Sequence, residues 1–355
     1  MYHKRNKIVR AWCNLPFDRV RISAEGWVNF CCHMGVETLG NILTQPFEDL
    51  WFGNQAEDIR DALRNASLHP MCNTRECLVQ YVPLEHRMQN HEVRATGYPC
   101  QLELDLHGSH CNFGGNRPTP QTACIMCPRA RPDFQKHLDA HPDKTDKIIE
   151  RIKHIVPYLK EINILGLSES FWKGRIFEVL EQLDFPEHRE DITVWTTSNG
   201  SCLDAQTRQR FGQMVRSSVI DFSIDAATAE TFLKIRRQKI FDRVCDNIRA
   251  WCEERQNHDG EHKANLHNNI NTLNLHEVPD MVVLAKRLGV DFLKLIPTHT
   301  FYTHPDVDDL VVNEENAQEF YDAQKAAEKL GDRIGQKVLF SRPLSLDFPV
   351  NPEGA

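Results

Sequence analysis

From about residue 102 onward, short β-rich runs alternate with segments whose apolar residues recur every three or four positions, and that alternation leaves few architectures open. Residues 102–106, 162–165, 192–197, 219–224, 266–273 and 292–296 read as strands. Residues 147–159, 174–183, 203–214, 241–252 and 277–288 read as the helices between them. Repeated βα units predict a parallel sheet wrapped by helices, either an open doubly wound sheet or a partial barrel. Leu288-Gly289-Val290-Asp291 is a helix stop leading into the last of these strands. The polar segment 256–263 reads as an exposed loop, residues 313–330 as a closing helix, and 337–340 as a short strand. The tail from Asn351 is expected to fray.

In parallel βα architectures ligands bind at the carboxyl ends of the strands, where the loops converge. Polar clusters fall there in this chain: Gly166, Ser168, Glu169 and Ser170; Thr196 to Gly200; Ser223 and Asp225; Asn271 and Asn274; Thr298 and His299. Ser, Asn and Gly mark strand-to-helix turns in any α/β protein, so a single cluster means little. Several in step with a cysteine loop mean more.

That loop follows the first strand. Cys111 is separated by twelve residues from Cys124-Ile125-Met126-Cys127-Pro128-Arg129. Three thiolates in one loop suit a [4Fe-4S] cluster with one iron left open. The same trio with His107 or His110 also suits a structural Cys3His zinc site. Twelve cysteines occur among 355 residues. With no basic-then-apolar leader and no run of membrane-spanning length, a cytoplasmic location is expected, where such thiols point to metal or redox chemistry rather than disulfides. Cys202, Cys245 and Cys252 stand apart and read as core thiols; Cys100 has no assignment. A net charge of -8 argues against a general nucleic-acid binder.

The cysteine loop, with its CN(F)…CxMCPR text, resembles that of the radical S-adenosylmethionine enzymes, although their first gap is usually three residues. Over residues 102–300 the strand-end clusters resemble that family's core, which implies a partial (β/α)6 barrel. The resemblance implies a SAM-binding [4Fe-4S] cluster on Cys111, Cys124 and Cys127, with Met126 against the adenine. Gly166, Ser168 and Glu169 match the loop that holds the cofactor's amino group, with Glu169 as its partner. Ser198 and Asn199 match the TNG turn, and Ser223 a contact to carboxylate or ribose. Arg236, following a short helix, matches the arginine that pairs with the carboxylate, with Arg237 an adjacent claimant. The implied activity is reductive cleavage of S-adenosylmethionine to a 5′-deoxyadenosyl radical that takes hydrogen from a small metabolite, sugar or peptide. An electron donor such as flavodoxin or ferredoxin is implied. His299 and His304 are candidate acids or bases at the rim.

The first ninety residues carry a second resemblance, to the SPASM or twitch type of auxiliary-cluster domain. Its text includes Cys13-Asn-Leu-Pro16, Gly26-x4-Cys31, Leu50-Trp51, Ile59-Arg60 and Pro70-Met-Cys72, with Cys77 further on. Cys13, Cys31, Cys72 and Cys77 would then ligate every iron of a second [4Fe-4S] cluster, Cys32 being possible in place of Cys31. Four thiolates also suit zinc. Trp12, Trp27, Phe30, Trp51 and Phe52 are expected to form the small core around this metal. The expected organisation is an auxiliary domain at 1–95, the radical core at 96–305, and a closing helix, strand and tail at 306–355. Peptide-modifying relatives often begin with a leader-binding domain; Cys13 lies so early that this subclass is the less expected one. A zinc-stapled or iron-sulfur interaction scaffold without catalysis is the competing class.

Overall fold

The computed structural model describes residues 8–11, 13–31, 38–65, 67–72, 91–94, 97–115, 117–119, 121–298, 310–313 and 315–340; for 8–11, 91–94 and 130 it describes backbone alone. The chain divides into two compact units, residues 1–110, 141–196 and 214–218, and residues 111–140, 197–213 and 219–355.

In the first unit β1 (Ile8–Ala11) pairs antiparallel with β5 (His91–Arg94). Separately, β8 (Thr193–Ser198, of which residues 193–196 belong to this unit), β7 (Glu161–Gly166), β6 (Gln101–Leu106), β2 (Arg19–Ile22), β3 (Trp27–Asn29) and β4 (Gly40–Asn41) lie side by side in that order. The steps from β8 through β2 are parallel, and β2–β3–β4 is an antiparallel meander. Leu102 stands opposite Ile162, and Ile162 opposite Val194; all three are fully buried. Helices Thr145–Ile152 and Arg175–Gln182 bury Ile148, Ile149 and Ile152, and Ile176, Phe177, Val179 and Leu180. Those spacings of three and four residues are why the segments are helical.

In the second unit β9 (Ser217–Phe222, of which residues 219–222 belong to this unit), β10 (Glu261–Ile270), β11 (Phe292–Pro297) and β12 (Lys337–Phe340) lie side by side, the last three parallel. Helices Ala229–Arg236, Phe241–Glu254, Val278–Leu288 and Ala317–Ile334 alternate with them. Ile220, Phe222, Leu266, Leu293 and Leu295 supply fully buried apolar positions. Other positions on the same strands are polar: Lys294 Nζ lies 2.9 Å from both carboxylate oxygens of Asp221, which also accepts from Asn265 at 2.7 Å.

Parallel strands with intervening helices are the α/β class that the sequence predicts, and Gly289 ends its helix as expected. Two expectations need correction. The polar segment 256–263 is not all loop: β10 begins at Glu261, and His262 is buried against Trp251, ring centroids 5.5 Å apart. The imidazole meets the indole edge to face, a packing role that a polarity pattern hides. Trp27 is not in the small core; it is 47% exposed because Val28 takes the inward position on β3. Trp12, Cys32, Cys77, His299, His304 and the tail from Asn351 lie outside the described residues.

Candidate functional site

The long gap between the first two cysteines is a folded excursion. Gly114 and Gly115 both have positive φ, 78° and 69°, so the chain turns back immediately after Phe113. A Cβ on Gly114 would lie 2.6 Å from the Cβ of Pro118 and 3.2 Å from the nitrogen of Ala123, so the two limbs of the excursion are in contact. At its far end, the amides of Thr122 and Ala123 both donate to Thr119 O, at 3.0 and 2.9 Å. Arg129, only 1% exposed, donates to Phe113 O at 3.1 Å and Gly115 O at 2.8 Å. One guanidinium thereby satisfies two backbone carbonyls of the excursion. The excursion leaves Cys111 and Cys124 in one neighbourhood.

The centre of that neighbourhood is Arg236. Its Nη1 lies 3.6 Å from Cys124 Sγ and its Nη2 2.5 Å from Asp225 Oδ2, while the amide of Ile125 donates to Ile235 O at 2.9 Å. Burial opposes the guanidinium charge, but Asp225, then Cys124 and Cys111, outweigh it and hold Arg236 above its usual range. The Cys127 thiol is pushed up to about 11 by burial and by Cys124, against the pull of Arg129 and Arg236. All three thiols thus feel the same arginine. Arg236 Nε is buried with no hydrogen-bond partner among the described residues, a donor still open to an anion. Three soft thiols, a shared cation and an open donor fit an iron-sulfur cluster and an anionic group beside it. Arg236 occupies the last turn of helix Ala229–Arg236 rather than following it, and Arg237, exposed in a left-handed conformation, caps the end.

Ser198, Asn199, Ser223 and Met126 belong to the same unit. Ser198 Oγ accepts from the Gly200 amide at 3.0 Å, and the Ser223 amide donates to Ser198 O at 2.8 Å. Asn199 donates to Asn112 Oδ1 at 2.9 Å, and Asn112 donates to Ser201 Oγ at 2.8 Å. The residue beside Cys111 is therefore tied to the turn after β8. Met126 is half-buried.

Gly166, Ser168 and Glu169 belong to the first unit. A Cβ on Gly166 would fall 2.6 Å from Leu106 O, so β6 and the end of β7 touch where only glycine fits. Glu169 is 1% exposed; its amide donates to His110 O at 2.6 Å and its Oε1 accepts from the Phe171 amide at 3.3 Å. Ser168 Oγ is buried without a hydrogen-bond partner among the described residues.

Of the amino-terminal thiols, Cys13, Cys31 and Cys72 are half-buried. Arg60 organises the framework around them: it donates to Pro16 O and Trp51 O, each at 2.7 Å, and lies over the rings of Trp51 and Phe30 at 4.5 and 5.2 Å. Trp51 and Phe30 meet edge to face, as the expected core requires. Cys100 takes part through its backbone, from its amide to Asp18 O at 2.8 Å. Burial pushes the Cys245 and Cys252 thiols up to about 11 and 12, which suits core residues, while Cys202 is half-buried. Among the described residues no three His, Cys, Asp or Glu side chains gather on a single-ion site. Sequence reasoning gave no role to Arg129, Asp225 or Asn112, although each lies within or beside a motif it singled out.

Residues 13–78 match the family model of SPASM, an iron-sulfur cluster-binding domain. No curated protein matches the chain. Among solved structures, Streptococcus suis SuiB bound to S-adenosylmethionine is similar at 11% identity and a TM-score of 0.48, over 69% of this chain and 51% of that one. SuiB bound to its precursor peptide SuiA is similar at 10% identity and 0.49, over 95% and 73%. Native anSMEcpe with bound AdoMet is similar at 13% and 0.48, over 68% and 64%. The chain spans 51% and 55% of the length of the first two SuiB chains it resembles. Likeness at this level leaves the functional reading to the chain's own residues.

Proposed function

We propose that the chain is a radical S-adenosylmethionine enzyme with an amino-terminal auxiliary cluster. The observation that carries this reading is the trio Cys111, Cys124 and Cys127, folded by an internal excursion into the electrostatic field of one arginine. A SPASM match at residues 13–78 supports it from an independent part of the chain. A reduced [4Fe-4S] cluster on the trio, with an open iron, would supply the electron that cleaves S-adenosylmethionine to methionine and a 5′-deoxyadenosyl radical, which takes hydrogen from the substrate. The remaining roles are those of side chains. Glu169, an anionic acceptor, would hold the cofactor's ammonium, with Gly166 letting the loop lie against β6 and the unpartnered Ser168 hydroxyl available beside it. Ser198, Asn199 and Ser223 would shape the ribose and carboxylate side, Met126 would lie against the adenine, and Arg236 would offer Nε to an anion. Cys13, Cys31 or Cys32, Cys72 and Cys77 would complete a second cluster with no open iron. Flavodoxin or ferredoxin is the proposed donor class, and the substrate is a small metabolite, sugar or peptide.

Anaerobic purification and reconstitution test this. Expected are a brown protein with about eight irons, from two four-iron centres, and 5′-deoxyadenosine formed from S-adenosylmethionine on reduction. Colourless protein that holds zinc and leaves the cofactor intact would establish the interaction scaffold instead.

A further inference from the structure

The family resemblance directs Arg236 at the cofactor's carboxylate, yet two of its three donor nitrogens are engaged by the protein. Nη2 is ion-paired with Asp225 and Nη1 donates to Cys124 Sγ. Because a guanidinium is a rigid planar fork, anchoring one arm fixes where the other points. The anchor is itself held hard. Asp225 is fully buried; its amide donates to Asn268 Oδ1 at 3.0 Å, its Oδ1 accepts from the Asn269 amide at 2.7 Å, and its carbonyl accepts from Asn274 at 2.9 Å. Asp225 also adopts φ 60°, a left-handed conformation uncommon outside glycine, which persists only where the surroundings over-determine it. Three asparagines and a strained residue are thus committed to presenting one carboxylate to one arginine. Cys124 is tied to the same helix end through the Ile125–Ile235 bond.

We propose that Asp225 positions Arg236 so that a cationic donor stays on Cys124 Sγ, and that this donor raises the reduction potential of the cluster borne by that thiolate. The inference rests on the iron-sulfur reading above. Reduction adds one electron, and one negative charge, to the cluster and its ligands. A hydrogen-bonded cation on a ligand sulfur stabilises that more negative state. No bond breaks and no proton moves; the electron comes from an external reductant.

The test is a redox titration of the reconstituted full chain with dithionite, followed by EPR. The core cluster is the signal that changes when S-adenosylmethionine is added and is absent in Cys124→Ser. In Arg236→Gln the reduced-to-oxidised ratio at fixed potential should fall about tenfold, a shift of about 59 mV for a one-electron couple, with iron content retained. Arg236→Lys keeps the charge and the partner Asp225 but lacks the fork, and should shift the same way by less. It decides the matter if the glutamine variant fails to load iron. Asp225→Asn should split or broaden the signal, because the released guanidinium samples more than one position. Unchanged potentials in both Arg236 variants overturn the proposal, and an unchanged line shape in Asp225→Asn removes Asp225 from it. Absence of any S-adenosylmethionine-responsive cluster in the unaltered chain would sink the radical-enzyme reading instead.

Discussion

Arg60 and Arg236 are both nearly buried arginines beside cysteines, and they are used in opposite ways. Arg60, in the amino-terminal domain, meets two backbone carbonyls and two aromatic faces, with one half-exposed glutamate at its edge. Its bonds close a frame: they join the turn after Cys13 to the helix that carries Arg60. Arg236 meets a fully buried carboxylate and a thiol, and its charge is felt by the whole trio. The first arginine serves mainly the fold; the second sets the field at a cluster of thiols. Substitutions in the amino-terminal frame should therefore read out as stability, and substitutions at the thiol trio as cofactor chemistry.

Replacing Cys111, Cys124 or Cys127 singly with Ala should produce the largest effect. Loss of one of three ligands should abolish 5′-deoxyadenosine formation while the amino-terminal domain keeps about four irons. If the amino-terminal iron disappears as well, the two regions are not separable and the contrast fails. Arg60→Met comes next. It preserves apolar volume but strands the carbonyls of Pro16 and Trp51, at a cost of about 3 kcal/mol, read from urea unfolding of the loaded protein. Cleavage per folded molecule should stay near the unaltered value.

Strand positions could be read from the chain because they are local, set by runs of β-formers, and the three cysteines could be singled out because they share one loop after a strand. β7, β8 and β11 fall within a residue or two of expectation. What could not be read was long-range. Asp225 and Arg236 are eleven residues apart across a helix, and nothing in their own neighbourhoods shows that one anchors the other. Arg129 sits in the motif, yet its task, closing an excursion through Phe113 and Gly115, depends on where the chain returns. Polarity misled at His262, whose ring packs on Trp251, and size misled at Trp27, where strand alternation outweighed hydrophobicity.

Glu169→Ala sharpens the same contrast at a moderate scale. If Glu169 pairs with the cofactor's ammonium, its loss should weaken S-adenosylmethionine binding by about 1.5–3 kcal/mol, measured by equilibrium titration. Both clusters should keep their iron, and the unfolding midpoint should move little. Unchanged affinity would show that the loop from Gly166 to Ser170 is a structural turn and not the amino-group site.

The smallest effect should separate two adjacent glycines. At Gly115 an added Cβ meets nothing within 4 Å among the described residues, so Gly115→Ala is expected to carry mainly the cost of φ 69° in a residue with a side chain, about 1 kcal/mol. At Gly114 the same cost is joined by a 2.6 Å approach to Pro118 and a 3.2 Å approach to the Ala123 nitrogen, one residue before Cys124. The limbs of the excursion must then part, and Cys124 moves with them. Gly114→Ala should accordingly lose core iron faster under a chelator than Gly115→Ala, with the amino-terminal iron equally retained in both. Equal loss rates would mean that contact between the limbs at Gly114 does not hold the trio in place.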